Sequence, residues 1–161
     1  MNTSIKNIKK YCNSLTKYSR YKTREVFIGD IPLGGAVPGK AFMTPLDLVP
    51  GGDIDTPAVI NIARLLQSLD ALPGDARITI PAQVCGLARR SNSGLSASID
   101  ALDFADDSAF VNAASQLVAT LTQAYGFTAV LVDAATARQH LQDSLLEVNS
   151  LSVNPATAPV R

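Results

Sequence analysis

YSRYKTREVFIGDIPLGG, Tyr18 to Gly35, is the stretch on which the fold turns. Behind a basic segment, Glu25 to Ile28 is a β-favouring run, Gly29-Asp30 is a turn signal, and Ile31-Pro32-Leu33 brings the chain back. Two short extended runs on either side of a tight break predict a β-hairpin over residues 24–35. Gly34-Gly35 closes it, because paired glycines tolerate the positive φ angles that a sharp reversal demands.

On the N-terminal side lies a basic segment. All six lysines (Lys6, Lys9, Lys10, Lys17, Lys22 and Lys40) fall within the first 40 residues, and beyond them every basic residue except His140 is arginine. That shift marks a compositional boundary, read either as a fused leader on a different segment or as a flexible arm on an ordinary domain. Residues 1–17 are expected to be a flexible basic arm, residues 18–155 a single α/β domain and residues 156–161 a tail.

On the C-terminal side the pattern alternates. Lys40 to Thr44 reads as a strand, and Pro45 to Gly52 as a loop. Thr56 is a candidate N-cap with Pro57 at the first helical position, and Val59, Ile62, Ala63, Leu66 and Leu69 share one helical face. Pro73-Gly74 stops that helix. Ala76 to Ile80 reads as a strand, a short helix follows Pro81, Ser91 to Gly94 is a loop, and Leu95 to Leu102 adds a helical turn or two. Asp106 caps a further helix whose stripe is Phe110, Ala114, Leu117, Val118 and Leu121, with Gly126 just past its end. Phe127 to Val132 is a continuous apolar run, the pattern of a strand buried on both faces. Asp133 caps a helix to about Glu147, and Ser150 to Val153 makes a last strand. Strands alternating with helices predict a parallel sheet with helical crossovers over residues 39–155.

Composition bounds the function. The chain has 161 residues, 47% hydrophobic and 17% charged, with mean hydropathy +0.15. That is enough for one domain with a core, and too little for a whole (β/α)8 barrel of roughly 250 residues. A formal net charge of +0 gives no electrostatic reason to expect nucleic acid. The sequence has no apolar run long enough to cross a membrane, and its N-terminus lacks a signal-peptide core, so the reading is cytoplasmic. Cys12 and Cys85 are too few for a disulfide scaffold or a metal cluster held within one chain, and each reads as an ordinary thiol.

The segment KTREVFIGDIPLGG resembles the N-terminal signature of the 4-hydroxy-3-methylbut-2-en-1-yl diphosphate synthases, iron–sulfur oxidoreductases late in the methylerythritol phosphate route to isoprenoids. In that family the hairpin precedes the first strand of a (β/α)8 barrel. Met43-Thr44 is similar to the end of the family's first strand, and Ala76 to Pro81 to its second. Tyr125-Gly126-Phe127 with Leu131-Val132-Asp133 is similar to the third strand, and Leu151 to Pro155 to the fourth. The resemblance therefore implies the first half of a barrel, with strands left open at its edges and covered by a homo-oligomer or a partner chain. It implies a small diphosphate as ligand, with Arg77 and Asn154 as the substrate-binding residues, the arginine directed at the diphosphate.

Departures limit what it implies for chemistry. Asp133-Ala134-Ala135 stands where the family has Asp-x-His, Ser152 replaces an arginine, and Ala156-Thr157 replaces Gly-Asn. The family's reductive step uses a [4Fe-4S] cluster whose cysteine ligands this chain lacks, so no cofactor and no catalytic residue is expected here. The reading is a truncated or diverged relative, inactive alone. The alternative is a non-enzymatic interaction or assembly domain, or a chimera, behind a borrowed leader. His140 reads as a solvated helix residue, Arg89-Arg90 as an exposed helix end, and Asp106-Asp107 as helix-terminal carboxylates.

Overall fold

The computed structural model describes residues 16–18, 23–38, 43–73, 78–124, 126 and 129–153. Four short strands, β1 (Thr16–Tyr18), β2 (Thr23–Ile28), β3 (Ile31–Pro32) and β4 (Val37–Pro38), come first. A 3₁₀ turn over Pro45–Leu48 leads to α1 (Pro57–Ser68), α2 (Ala82–Leu87), α3 (Ser96–Ala101), α4 (Asp107–Gln123) and α5 (Ala134–Val153). The architecture is mixed α/β.

The hairpin forms where the sequence places it. Phe27 pairs with Pro32 and Ile28 with Ile31 across the Gly29-Asp30 turn, where Gly29 takes φ +59. β2 alternates as a half-buried strand should: Val26 and Ile28 are buried, while Glu25 between the strand's start and Val26 is exposed. β1 covers the other edge of β2, with Thr16 opposite Val26 and Tyr18 opposite Arg24, so Thr16 and Lys17 belong to a strand within the expected arm. Residues 1–15 and the tail lie outside the described residues. β4 rejoins β2 through Arg24 and Val37 after Gly34, at φ +76, has carried the return strand over the 3₁₀ turn. A Cβ on Gly34 would stand 2.1 Å from the Leu48 carbonyl oxygen, and Gly35 N donates to that same oxygen at 3.1 Å. A glycine is needed here by contact as well as by φ.

All described strand pairings are antiparallel, which corrects the expectation of a parallel sheet with helical crossovers. Ile78 to Ile80 are buried, and Ala129, Leu131 and Val132 are half-buried with Val130 exposed, yet neither run is laddered, and several of their backbone groups find partners elsewhere. Thr79 N donates to Asp70 Oδ1 at 3.0 Å, and Ala71 N donates to Thr79 O at 2.9 Å. Val132 N donates to Ser68 Oγ at 2.8 Å, Val132 O accepts from Arg64 Nε at 2.8 Å, and Ala129 N donates to Thr122 Oγ1 at 3.0 Å. Side chains on α1, on α4 and just past the end of α1 supply much of what neighbouring strands would have supplied. The third departure is Ser150 to Val153, which continues α5 instead of forming a strand. No Gly or Pro stands between Asp133 and Val153 to stop the helix.

Other elements follow their sequence signals. In α1, Val59, Ile62, Ala63 and Leu66 are buried, as is Leu69 just beyond its end. Thr56 occupies the N-cap position, yet its hydroxyl pairs with Asp53 Oδ1 at 3.0 Å rather than with the helix. Asp106 does cap α4, accepting from Ala109 N at 3.0 Å, and Phe110, Ala114, Leu117, Val118 and Leu121 face inward. One core joins the hairpin (Val26, Ile28, Ile31, Leu33) to α1, α2 and α4, with Phe110 at 0% exposure among its largest members.

Candidate functional site

Arg77 and Asn154, the residues expected to bind a diphosphate, both lie outside the described residues. What the described residues assemble is a cleft beside the hairpin.

The cleft begins with a turn that is fastened at several points. Asp30 N donates to Ala88 O at 2.7 Å, and a Cβ on Gly29 would lie 2.2 Å from that oxygen, so the turn rests directly on the backbone that follows α2. The Asp30 carboxylate accepts from Arg90 N at 2.8 Å and from Arg89 Nη1 at 3.2 Å. The Arg90 backbone N–H above all holds its pKa below the usual aspartate value, opposed by burial and helped in lesser measure by the Arg89 and Arg90 guanidinium groups. Arg90 turns its own Nε to Asp100 Oδ1 at 2.8 Å, bridging the hairpin to α3. The arginine pair lies exposed just past the end of α2, as expected, and also forms the clasp of the hairpin.

Beyond this clasp, Pro32, Gly34, Arg90, Ile99, Asp100 and Phe104 help line an open cleft of about 410 Å³, which Asp103 also borders. Asp103 Oδ1 accepts from Ala105 N at 2.9 Å, and Phe104 leans on the buried Phe110 ring with centroids 5.5 Å apart. The lining thus joins an apolar wall to two carboxylates and one guanidinium already paired. That balance suits a neutral or cationic group with an apolar stem better than a diphosphate.

Behind the wall runs a buried polar seam that the sequence pattern concealed. Asn61, Arg64 and Ser68 lie on one stripe of α1, all buried. Asn61 Nδ2 donates to Phe104 O at 3.0 Å, and Arg64 Nη1 donates to Asn61 Oδ1 and to Asp107 Oδ1, both at 3.1 Å. The Arg64 guanidinium also lies over the Phe110 ring, 5.3 Å from its centroid. These contacts are structural: the seam fixes the loop that carries Phe104 into the cleft. The available signal was a polar stripe at helical spacing, which looks the same as a solvated face.

Other titratable groups act in turns. Asp53 is held below its usual pKa by the Asp55 N–H and the Thr56 hydroxyl, and Asp133 by the Thr136 hydroxyl and N–H. His140 is half-buried rather than solvated, and its Nδ1 is enclosed without a hydrogen-bond partner among the described residues. No group of three or more His, Cys, Asp or Glu among the described residues is placed to hold a metal ion. No helix among them is long and apolar enough to cross a membrane. Cys85, 4% exposed, is disulfide-bonded and not the ordinary thiol the sequence suggested.

Comparison with protein-family models, with curated proteins and with solved structures finds no match to this chain.

Proposed function

We propose that this chain is a non-enzymatic interaction domain whose hairpin cleft takes a short segment of a partner chain bearing basic and apolar side chains. The observation that carries the reading is the lining itself: Asp103 and Asp100 beside Ile99 and Phe104, with the Arg90 guanidinium already paired to Asp100. A lysine or arginine stem would lie along the apolar wall and place its charge between the carboxylates.

A second reading rests on the Tyr18 to Gly35 segment, which resembles the diphosphate synthase signature. In it the chain is a diverged relative that keeps a diphosphate site at Arg77 and Asn154 and relies on a partner chain for the cluster. Both readings place the chain in the cytoplasm.

Two titrations on the same protein separate them. Calorimetry with a short peptide of alternating lysine and leucine should detect binding that weakens in salt and in Asp103→Asn. A thermal melt with the cyclic diphosphate substrate of the synthase family should show no shift. An upward shift with the diphosphate, lost in Arg77→Ala, together with no peptide binding, would replace the first reading with the second, since only binding to the native state adds stability.

A further inference from the structure

We propose that α5 is a strap that detaches from α1 as a unit while the rest of the fold stays closed, independently of what the cleft binds. Among the described residues, three enclosed side-chain atoms have no hydrogen-bond partner: Gln67 Oε1, Arg138 Nε and His140 Nδ1. Gln67 lies on α1 and the other two on α5, where Arg138 and His140 flank the buried stripe Ala137, Leu141 and Ser144. The unmet side-chain groups of the described fold are thus gathered along one helix pairing.

Polar contacts across this seam are long. Gln67 Nε2 donates to Ala137 O at 3.4 Å, and Arg138 Nε stands 3.3 Å from Asp55 Oδ1, an ion pair between exposed side chains that lacks the alignment of a hydrogen bond. Apolar packing is small as well: Leu141 and Leu145 join Val59, Ile60 and Ile54 in a cluster beside the main core, which takes no described residue from α5. Docking withholds water from Gln67 Oε1 and His140 Nδ1 and gives neither a partner, so it forfeits part of what the leucines contribute.

By contrast, much of what holds α5 as a helix lies within it. Asp133 caps it, Oδ1 accepting from Thr136 N at 2.9 Å and Oδ2 from Thr136 Oγ1 at 2.7 Å. Gln139 Nε2 donates to Asp143 Oδ1 at 3.0 Å, and Ser144 Oγ donates to His140 O at 2.8 Å. These bonds survive detachment. Val132, immediately before the cap, is pinned at both backbone groups by Ser68 and Arg64, so the hinge falls at Asp133 and opening stops there. A detached α5 uncovers Val59 and Ile60, at 0% and 4% exposure, and leaves Asn61 and Arg64 in their contacts with Phe104 and Asp107. Opening therefore changes one face of α1 without disturbing the cleft.

The test is hydrogen exchange of the full chain, read by mass spectrometry at rising urea below the unfolding transition. Interior amides of α5 should exchange about tenfold or more faster than those of α1 and α4, and with a shallower dependence on urea, because local opening exposes less surface than unfolding. The double variant Gln67→Leu with His140→Leu replaces both orphan groups with apolar ones and should slow α5 exchange by about tenfold. Exchange of α5 in step with α1 and α4, with the same urea dependence, would overturn the strap, and so would a folded double variant whose α5 exchanges as fast as the wild type's. If the double variant does not fold, the wild-type comparison alone decides.

Discussion

At the scale of single residues, the hairpin turn is held by contacts that other side chains cannot reproduce. Gly29 combines φ +59 with a Cβ position 2.2 Å from the Ala88 carbonyl oxygen, whereas Gly51 has φ +75 and open space around it. Gly51→Ala should therefore cost about 1 kcal/mol from backbone strain alone, and Gly29→Ala about 3 kcal/mol or more, because the turn must also lift off α2. Urea unfolding of the two variants checks the difference, and equal costs would mean that the turn does not rest on Ala88. Asp30 adds a pH dependence with a definite sign. Its folded pKa is lowered below 3.8, chiefly by the Arg90 N–H and with help from Arg89. The stability it contributes is therefore present above the unfolded value and is lost as pH falls through the folded one. The wild type should lose stability more steeply than Asp30→Asn below about pH 4, read as the urea midpoint between neutral and acid pH. Parallel curves would remove Asp30 from the clasp.

At the scale of elements, α1 is the organising helix, through the polar stripe as much as the apolar one. Arg64 and Ser68 hold both backbone groups of Val132, and Asn61 holds Phe104 O. Arg64→Leu keeps the bulk but leaves the Val132 carbonyl and Asn61 Oδ1 without a donor, and should cost about 2–4 kcal/mol by urea unfolding. A cost under about 1 kcal/mol would show that the seam is incidental. The hairpin, the stripes of α1 and α4 and the caps at Asp106 and Asp133 were legible because each rests on residues close in sequence. Within the expected strands Ala76 to Ile80 and Phe127 to Val132, the described residues Ile78 to Ile80 and Ala129 to Val132 form no ladder, because an apolar run does not specify its neighbours. Here those neighbours include Asp70, Arg64, Ser68 and Thr122, polar side chains that no local period marks as inward. The cleft was hidden for the same reason. Asp30 is 60 residues from Arg90 in sequence and meets it only because the turn packs on the backbone after α2.

At the scale of the whole molecule, the surface offers little to oppose association. The net charge is zero and the isoelectric point about 6.5, so near that pH copies meet without electrostatic repulsion. Val130, Leu146 and Leu72 are exposed at 82%, 68% and 54%, and β1 has one hydrogen-bonded neighbour among the described strands. Edge and apolar surface together favour self-association, although the expectation first arose from an open parallel half-barrel that the described strands do not form. The two sources can be separated. If the apolar surface drives association, Val130→Glu should shift the sedimentation profile near pH 6.5 toward monomer while changing unfolding free energy by less than about 0.5 kcal/mol, as expected where a side chain packs against little. If β1 pairing drives it, Val130→Glu should leave the profile unchanged, and proline at Lys17 should dissociate the oligomer by removing a backbone donor from the strand. A wild type that sediments as a monomer at all concentrations would contradict both, and would mean that this nearly neutral, apolar surface is already adequately shielded by the folded chain itself.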